Sequence, residues 1–324
     1  MRRLCAFFIT VFILTPAFSG YSASKWRKLF DSGDLLRIYP SLADTAAVNP
    51  DVFIAPVLRD VTYSYIYNDF YEQVRSDIYS NSPLSKFFAL QFINHIEEFS
   101  VVDFPEAMDI STMLDALCEA YYQNNVYIGG IELNQIMYDF HSMTLKIPYA
   151  LSSAEQRKLQ EEITAKANSI IAQIITESMS DYQKAAAINN YLCKNAKFDS
   201  AAKEALLSIQ NGTMISNTYK YSQTAYGVLI NQRGICQSYA EAFKLLAGKA
   251  GLTSIVVTGI LNGSGSHMWN RVYANGWWLT LDVTNSGRSV NPDEFFDMSQ
   301  VKTSVYYTED KLYLLDSMLS VYRN

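Results

Sequence analysis

Apolar residues along the chain recur at intervals of three and four in some stretches and of two in others, and these changes of period lay out the elements. Ser152 with Glu155 three residues on forms a capping box. Leu159, Ile163, Ile170, Ile171, Ile174 and Ile175 follow at helical spacing, which predicts a long helix with one apolar stripe. A second capping box, Ser180 with Gln183, opens another helix in which Ala185, Ile188, Tyr191 and Leu192 share a face. Cys193 lies beside that face as a small hydrophobe. Tyr239, Phe243, Leu246 and Ala250 keep the helical period once more, with Gly251 as a natural stop, so a third helix begins at about Cys236.

Beyond it the period becomes two. A β-branched run at 255–258 predicts a strand, and the glycine-rich stretch 259–266 reads as a loop giving access to a site. No Gly-Lys-Ser/Thr helix start follows, which excludes a phosphate loop. Residues 267–273 and 277–283 flank Asn275-Gly276, the dipeptide best suited to a two-residue type I′ hairpin turn. With that turn Ala274 opposes Trp277, Trp269 opposes Asp282 and His267 opposes Thr284. Side chains alternate between faces of a strand, so His267, Trp269, Asp282 and Thr284 would share one face, with His267 and Asp282 as diagonal neighbours.

The first half of the chain is less informative. Residues 57–78 and 83–99 have short helical patterns, while 127–131 and 143–147 read as strands, which makes 25–150 a mixed, mostly helical region. Its histidines, His95 and His141, stand among apolar neighbours and read as structural residues. Pro148 closes the region. The expected organisation is an N-terminal signal or anchor over 1–24, the mixed region over 25–150 and an α+β domain over 151–324.

Composition narrows the function classes. An apolar share of 49% with 18% charged residues suits a chain with a sizeable core. A net charge of −6 without a basic stripe argues against nucleic acid as a partner. Arg2 and Arg3, the apolar run at 4–14 and Ala17-Phe18-Ser19 have the layout of an export signal, so the mature protein is expected outside the cell or at its surface. The alternative is an uncleaved anchor, although the run is shorter than the roughly 20 apolar residues of a spanning helix. Membrane attachment would then come through this segment alone. Loss of the signal removes Cys5 and leaves Cys118, Cys193 and Cys236, an odd set without disulfide-framework spacing, and hence at least one free thiol. The cysteines and histidines are not grouped as metal ligands, and no cofactor is implied.

Cys236 is the thiol in the most activating position. At a helix N-terminus, unpaired amides and the positive end of the dipole stabilise a thiolate. His267 could exchange its proton, and Asp282 could fix the imidazole tautomer, which completes the logic of acyl transfer. The alternative is that Cys236 is a buried hydrophobe and the other two are ordinary strand-end polar residues. The Cys236 amide is a candidate oxyanion donor. Gln232 is a second candidate, or merely an exposed loop residue. Trp269 and Trp278 could shape an acyl pocket or simply pack.

The motifs Ala225-Tyr226-Gly227-Val228-Leu229, Arg233-Gly234-Ile235-Cys236-Gln237-Ser238-Tyr239-Ala240, His267-Met268-Trp269-Asn270 and Leu281-Asp282-Val283-Thr284 resemble the bacterial transglutaminase-like domain family over roughly 150–290. The resemblance implies a papain-like fold, with the cysteine borne on a helix packed against an antiparallel sheet, and a triad of Cys236, His267 and Asp282. It also implies cysteine-dependent chemistry on peptide or amide bonds through a thioester. Hydrolysis is the expected outcome, with protein cross-linking or a non-catalytic module binding peptide or glycan as alternatives. The partner would be a protein or peptide, including cell-wall peptide. This chain departs from the family pattern at Asn189-Asn190, where relatives often have His-Asp, and at Met268, where a small residue is usual.

Overall fold

The computed structural model describes residues 27–28, 78–131, 133–209, 219, 221–261, 265–289, 292–298, 307–310 and 314. The expected signal over 1–24 and most of the helical pattern at 57–78 lie outside the described residues. Among the described residues, no helix is long and apolar enough to cross a membrane.

The protein is α+β. Its elements run β1 (Arg27–Lys28), α1 (Pro83–Ile93), β2 (Glu98–Ser100), α2 (Ile110–Asn124), β3 (Met137–Asp139), β4 (Thr144–Lys146), α3 (Ser153–Ile174), α4 (Asp181–Asn195), β5 (Lys197–Phe198) and α5 (Ser200–Ile209). They continue with α6 (Ala225–Leu229), β6 (Arg233–Gly234), α7 (Cys236–Lys249), β7 (Ser254–Leu261), β8 (Gly265–Ala274), β9 (Trp277–Leu281), α8 (Val283–Ser286) and β10 (Tyr307–Glu309). Both predicted capping boxes are present: Ser152 caps α3 with Glu155, and Ser180 caps α4 with Gln183. The apolar stripe of α3 buries Leu159, Ile163 and Ile170, while Ile171, Ile174 and Ile175 are only partly covered.

The main sheet is antiparallel throughout, in the order β10, β7, β8, β9. At the β8–β9 turn, Asn275 and Gly276 both take positive φ, 53° and 96°, and Ala274 pairs with Trp277 as the type I′ reading requires. The ladder continues in that register to Asn270 and Leu281 and then stops. Asp282 becomes the N-cap of α8, and Thr284 lies in that helix, so the predicted strand through 283 is two residues too long. Gly259 is also not in a loop. It lies within β7, where an added Cβ would come 2.8 Å from the Trp269 ring and closer still to the Thr308 carbonyl. Glycine there lets β10 and Trp269 approach the same point.

In the first half, the stretch 127–131 is not a continuous strand: Tyr127 ends the short helical turn Asn125–Tyr127, Gly129 and Gly130 take positive φ, and Ile131 makes a single antiparallel bridge with Tyr149. The 83–99 pattern divides at Asn94, the C-cap of α1, before β2. The boundary expected at 150 is crossed by one continuous hydrophobic core running from Leu84 to Phe296. Polar ties cross it as well. Gln123 on α2 donates to the Val256 carbonyl at 2.8 Å and accepts from the Val256 amide at 2.9 Å, so its side chain hydrogen-bonds β7 as a neighbouring strand would. Asn125 donates to Glu241 on α7 at 2.6 Å.

Glu241 also accepts from Gln237 Nε2 at 2.9 Å and from the Ala225 amide at 3.1 Å, where α6 begins. Burial raises its carboxyl to about 7, against the pull of these donors. A group raised in the folded state contributes stability that is complete below its ordinary 4.5 and is lost as pH rises through about 7. Glu241→Ala should therefore cost about 1–3 kcal/mol in acid and less in mild base, because the wild type itself weakens there. Urea unfolding at about pH 5 and about pH 8 checks this.

Candidate active site

Cys236 is the first residue of α7, preceded by Ile235 as an N-cap with no side-chain cap bond. The strand before it is tightly held. The Lys197 amide donates to Gln232 O and the Asp199 amide to Gly234 O, both at 2.9 Å, and the Ile235 amide donates to Ser222 O at 2.9 Å. Asp199, almost fully buried, accepts from Ser222 Oγ at 3.0 Å and pairs with Arg233 at 3.2 Å. Gly234 is required by close approach, since a Cβ there would lie 2.5 Å from the Ser238 Cβ. Together these ties fix the start of the helix, and with it the half-buried Cys236 thiol.

His267 stands near the start of β8, and its Nε2 lies 2.6 Å from Asp282 Oδ2. The diagonal approach expected from hairpin parity is therefore present, although Asp282 reaches the imidazole from a helix cap rather than from a strand position. The Cys236 side chain stands close enough to the imidazole to act on it electrostatically. Burial disfavours the charged imidazole, but the Asp282 charge and hydrogen bond, reinforced by Cys236, outweigh it and hold His267 above its ordinary value. Asp282 is fully buried. Burial disfavours its charge too, yet His267 and the hydrogen bonds from Asn285 and Tyr307 keep it below the usual carboxylate range. The pair is thus a charge-assisted couple in which the protonated imidazole and the ionised carboxylate favour each other.

Two members of this network are absent from the sequence reading. Asn285 donates through its amide N–H to Asp282 Oδ1 at 3.1 Å and through Nδ2 to Oδ2 at 2.7 Å. Tyr307 on β10 donates to Oδ2 at 2.9 Å and accepts from Asn285 Nδ2 at 3.2 Å. Asp282-Val283-Thr284-Asn285 has the form of a helix cap, a local signal that could have exposed Asn285. Tyr307 carries no comparable signal.

Trp269 is 2% exposed, packed edge-on to Tyr307 with 5.0 Å between ring centroids and stacked 6.1 Å from His267. It has almost no surface to offer a substrate, and it supports the site from beneath. Trp278 pairs with Tyr273 at 5.4 Å on the same hairpin, toward the turn. Gln232 is exposed with φ of 55°, and its side chain makes no hydrogen bond to His267 or Asp282. Cys193 is half-buried, its thiol directed at Val283 O 3.8 Å away, and burial followed by the nearby Asp282 charge pushes it up to about 11. That makes it an unreactive neighbour.

Comparison with known proteins adds the family. The model of the transglutaminase-like superfamily matches residues 168–283, from within α3 to the first residue of α8, and so takes in Cys236, His267 and Asp282. This segment belongs to the transglutaminase-like superfamily. The chain is also similar to kyphoscoliosis peptidase of Mus musculus, 26% identical over 137 residues covering 38% of this chain and 19% of the relative. The Homo sapiens counterpart is 24% identical over 136 residues with the same two coverages. The chain thus spans about a fifth of the length of these curated relatives. A solved structure of a TGase aligns at 19% identity with a TM-score of 0.31, over 44% of this chain and 40% of that one. Tyr307 lies beyond the end of the matched transglutaminase-like segment.

Proposed function

We propose that the protein is a cysteine-dependent acyl-transfer enzyme acting on peptide or amide bonds. What supports this reading is a half-buried thiol at the α7 helix start that lies within electrostatic reach of the buried His267–Asp282 pair. The Cys236 thiolate attacks the amide carbonyl, and negative charge develops on the carbonyl oxygen near the Cys236 backbone amide. The C–N bond breaks, and the leaving amine takes its proton from the His267 imidazolium. The acyl group remains on sulfur as a thioester. Water then attacks, giving its proton to His267, and the C–S bond breaks to release an acid and restore the thiol. Asp282 fixes the tautomer and offsets the imidazolium charge throughout. Hydrolysis is favoured over cross-linking because water is always at hand as an acceptor.

The substrate is proposed to be a protein or peptide, with cell-wall peptide included if the N-terminal segment directs export. The test is alkylation of the whole chain by iodoacetamide near neutral pH, with the label mapped by peptide mass. Cys236 should react faster than a free model thiol, the label should disappear in Cys236→Ala, and turnover of a peptide amide should fall in step with labelling. A rate no higher than the model thiol's would favour a binding module and defeat the proposal.

A further inference from the structure

Three donors converge on a single oxygen of Asp282. Oδ2 accepts from His267 Nε2 at 2.6 Å, from Asn285 Nδ2 at 2.7 Å and from Tyr307 Oη at 2.9 Å. The Asn285 amide also points at the Tyr307 hydroxyl, so the phenol accepts from Asn285 and its own proton is directed at the carboxylate. We infer that Tyr307 is a positioning residue of this site, which holds Asp282 Oδ2 against the imidazole and draws part of that oxygen's charge away from His267. The inference rests on the Cys236–His267–Asp282 reading of the site.

The physical argument begins with what one oxygen can give. A carboxylate oxygen shared among three donors is a weaker base toward each of them than one bonded to a single donor, because each bond polarises the same lone-pair density. With imidazole alone on Oδ2, the imidazolium would be stabilised so strongly that surrender of its proton to a leaving amine would become costly. The hydroxyl and the amide moderate that hold while keeping the carboxylate in place.

The placement of Tyr307 supports such a role over mere packing. It is 7% exposed, on the strand at the edge of the main sheet, with its ring against Trp269 and its pairing fixed opposite Leu261. The ring-to-ring contact and the strand ladder set the hydroxyl position independently of Asp282. Burial and the Asp282 charge raise the phenol above its ordinary value, so it remains a donor across the working range. Asn285 approaches the same oxygen from α8, an independent element.

The chain has three histidines, so the His267 imidazole can be followed by nitrogen NMR as pH is varied, with the resonance assigned by its loss in His267→Gln. In Tyr307→Phe the His267 midpoint should rise by roughly 0.5–1 unit, a three- to tenfold stronger hold on its proton, as Oδ2 loses a competing donor. Asn285→Ala, which leaves β10 untouched, should shift it in the same direction. Turnover of a peptide amide should fall about three- to tenfold in Tyr307→Phe, with its alkaline limb displaced upward, whereas a purely structural loss would lower the rate at every pH without moving that limb. An unchanged or lowered His267 midpoint in both variants overturns the inference. The titration needs no substrate, so failure of the peptide-bond reading, seen as slow alkylation of Cys236 in the wild type, is distinguishable from failure here.

Discussion

Asp282→Ala is expected to abolish most peptide turnover and, unlike a change at an exposed catalytic group, to weaken the fold as well. The carboxylate accepts four hydrogen bonds with no surface exposed, so its removal leaves the imidazole, the Asn285 groups and the Tyr307 hydroxyl buried without their acceptor. Loss of one partner from such a buried pair costs about 3–5 kcal/mol, and loss of the tautomer-fixing acid lowers turnover by a factor on the order of 10⁴. The stability deficit has a pH window. His267 is held above its ordinary 6.5, so its share is complete below 6.5 and lost as pH rises through the folded value. Asp282 is held below its ordinary 3.8, so its share is complete above 3.8 and lost as pH falls through the folded value. Urea unfolding of wild type and variant should therefore show the widest gap between 3.8 and 6.5. A gap independent of pH would contradict the ion pair.

Gly259→Ala is expected to lower stability and turnover together, although it lies on a strand and touches no reacting group. Its new methyl would sit 2.8 Å from the Trp269 ring and closer to the Thr308 carbonyl, which is backbone and cannot swing away. Either β10 separates from β7 or Trp269 leaves its rotamer, and overpacking of this kind costs about 1–3 kcal/mol. Separation of β10 would carry Tyr307 off Asp282, so turnover should fall together with stability. Thermal unfolding and peptide turnover measured on the same preparation check this. A variant that loses stability but keeps full turnover would show that β10 stays in place.

Local rules made much of this legible before any coordinates. Capping boxes, the helix start at Cys236 and the Asn275-Gly276 register depend on residues within a few positions of one another, and sequence carries that information directly. What escaped depends on partners far along the chain. Gly259 read as loop because the ring that crowds it belongs to the next strand and the carbonyl to β10. Trp269 read as a possible pocket wall because its cover, Met298, Tyr307 and Leu314, comes from a stretch with no clear period. Tyr307 meets Asp282 across 25 residues without a motif. Pro148 ends one pattern and Ser152 starts another, but turn signals mark where elements stop and say nothing about whether a core is shared. Here one core is shared.

The grip of Gln123 on Val256 has a kinetic meaning. These partners are 133 residues apart, and closing so long a loop carries an entropic cost before any contact compensates for it. Chains dominated by such distant pairings fold slowly. The edge of β7 cannot be capped until α2 has found a strand made much later, and β10 is later still. Cys236 would therefore meet the His267–Asp282 pair late, after the long-range assembly of the sheet, so a partly folded chain carries the cysteine apart from its partners.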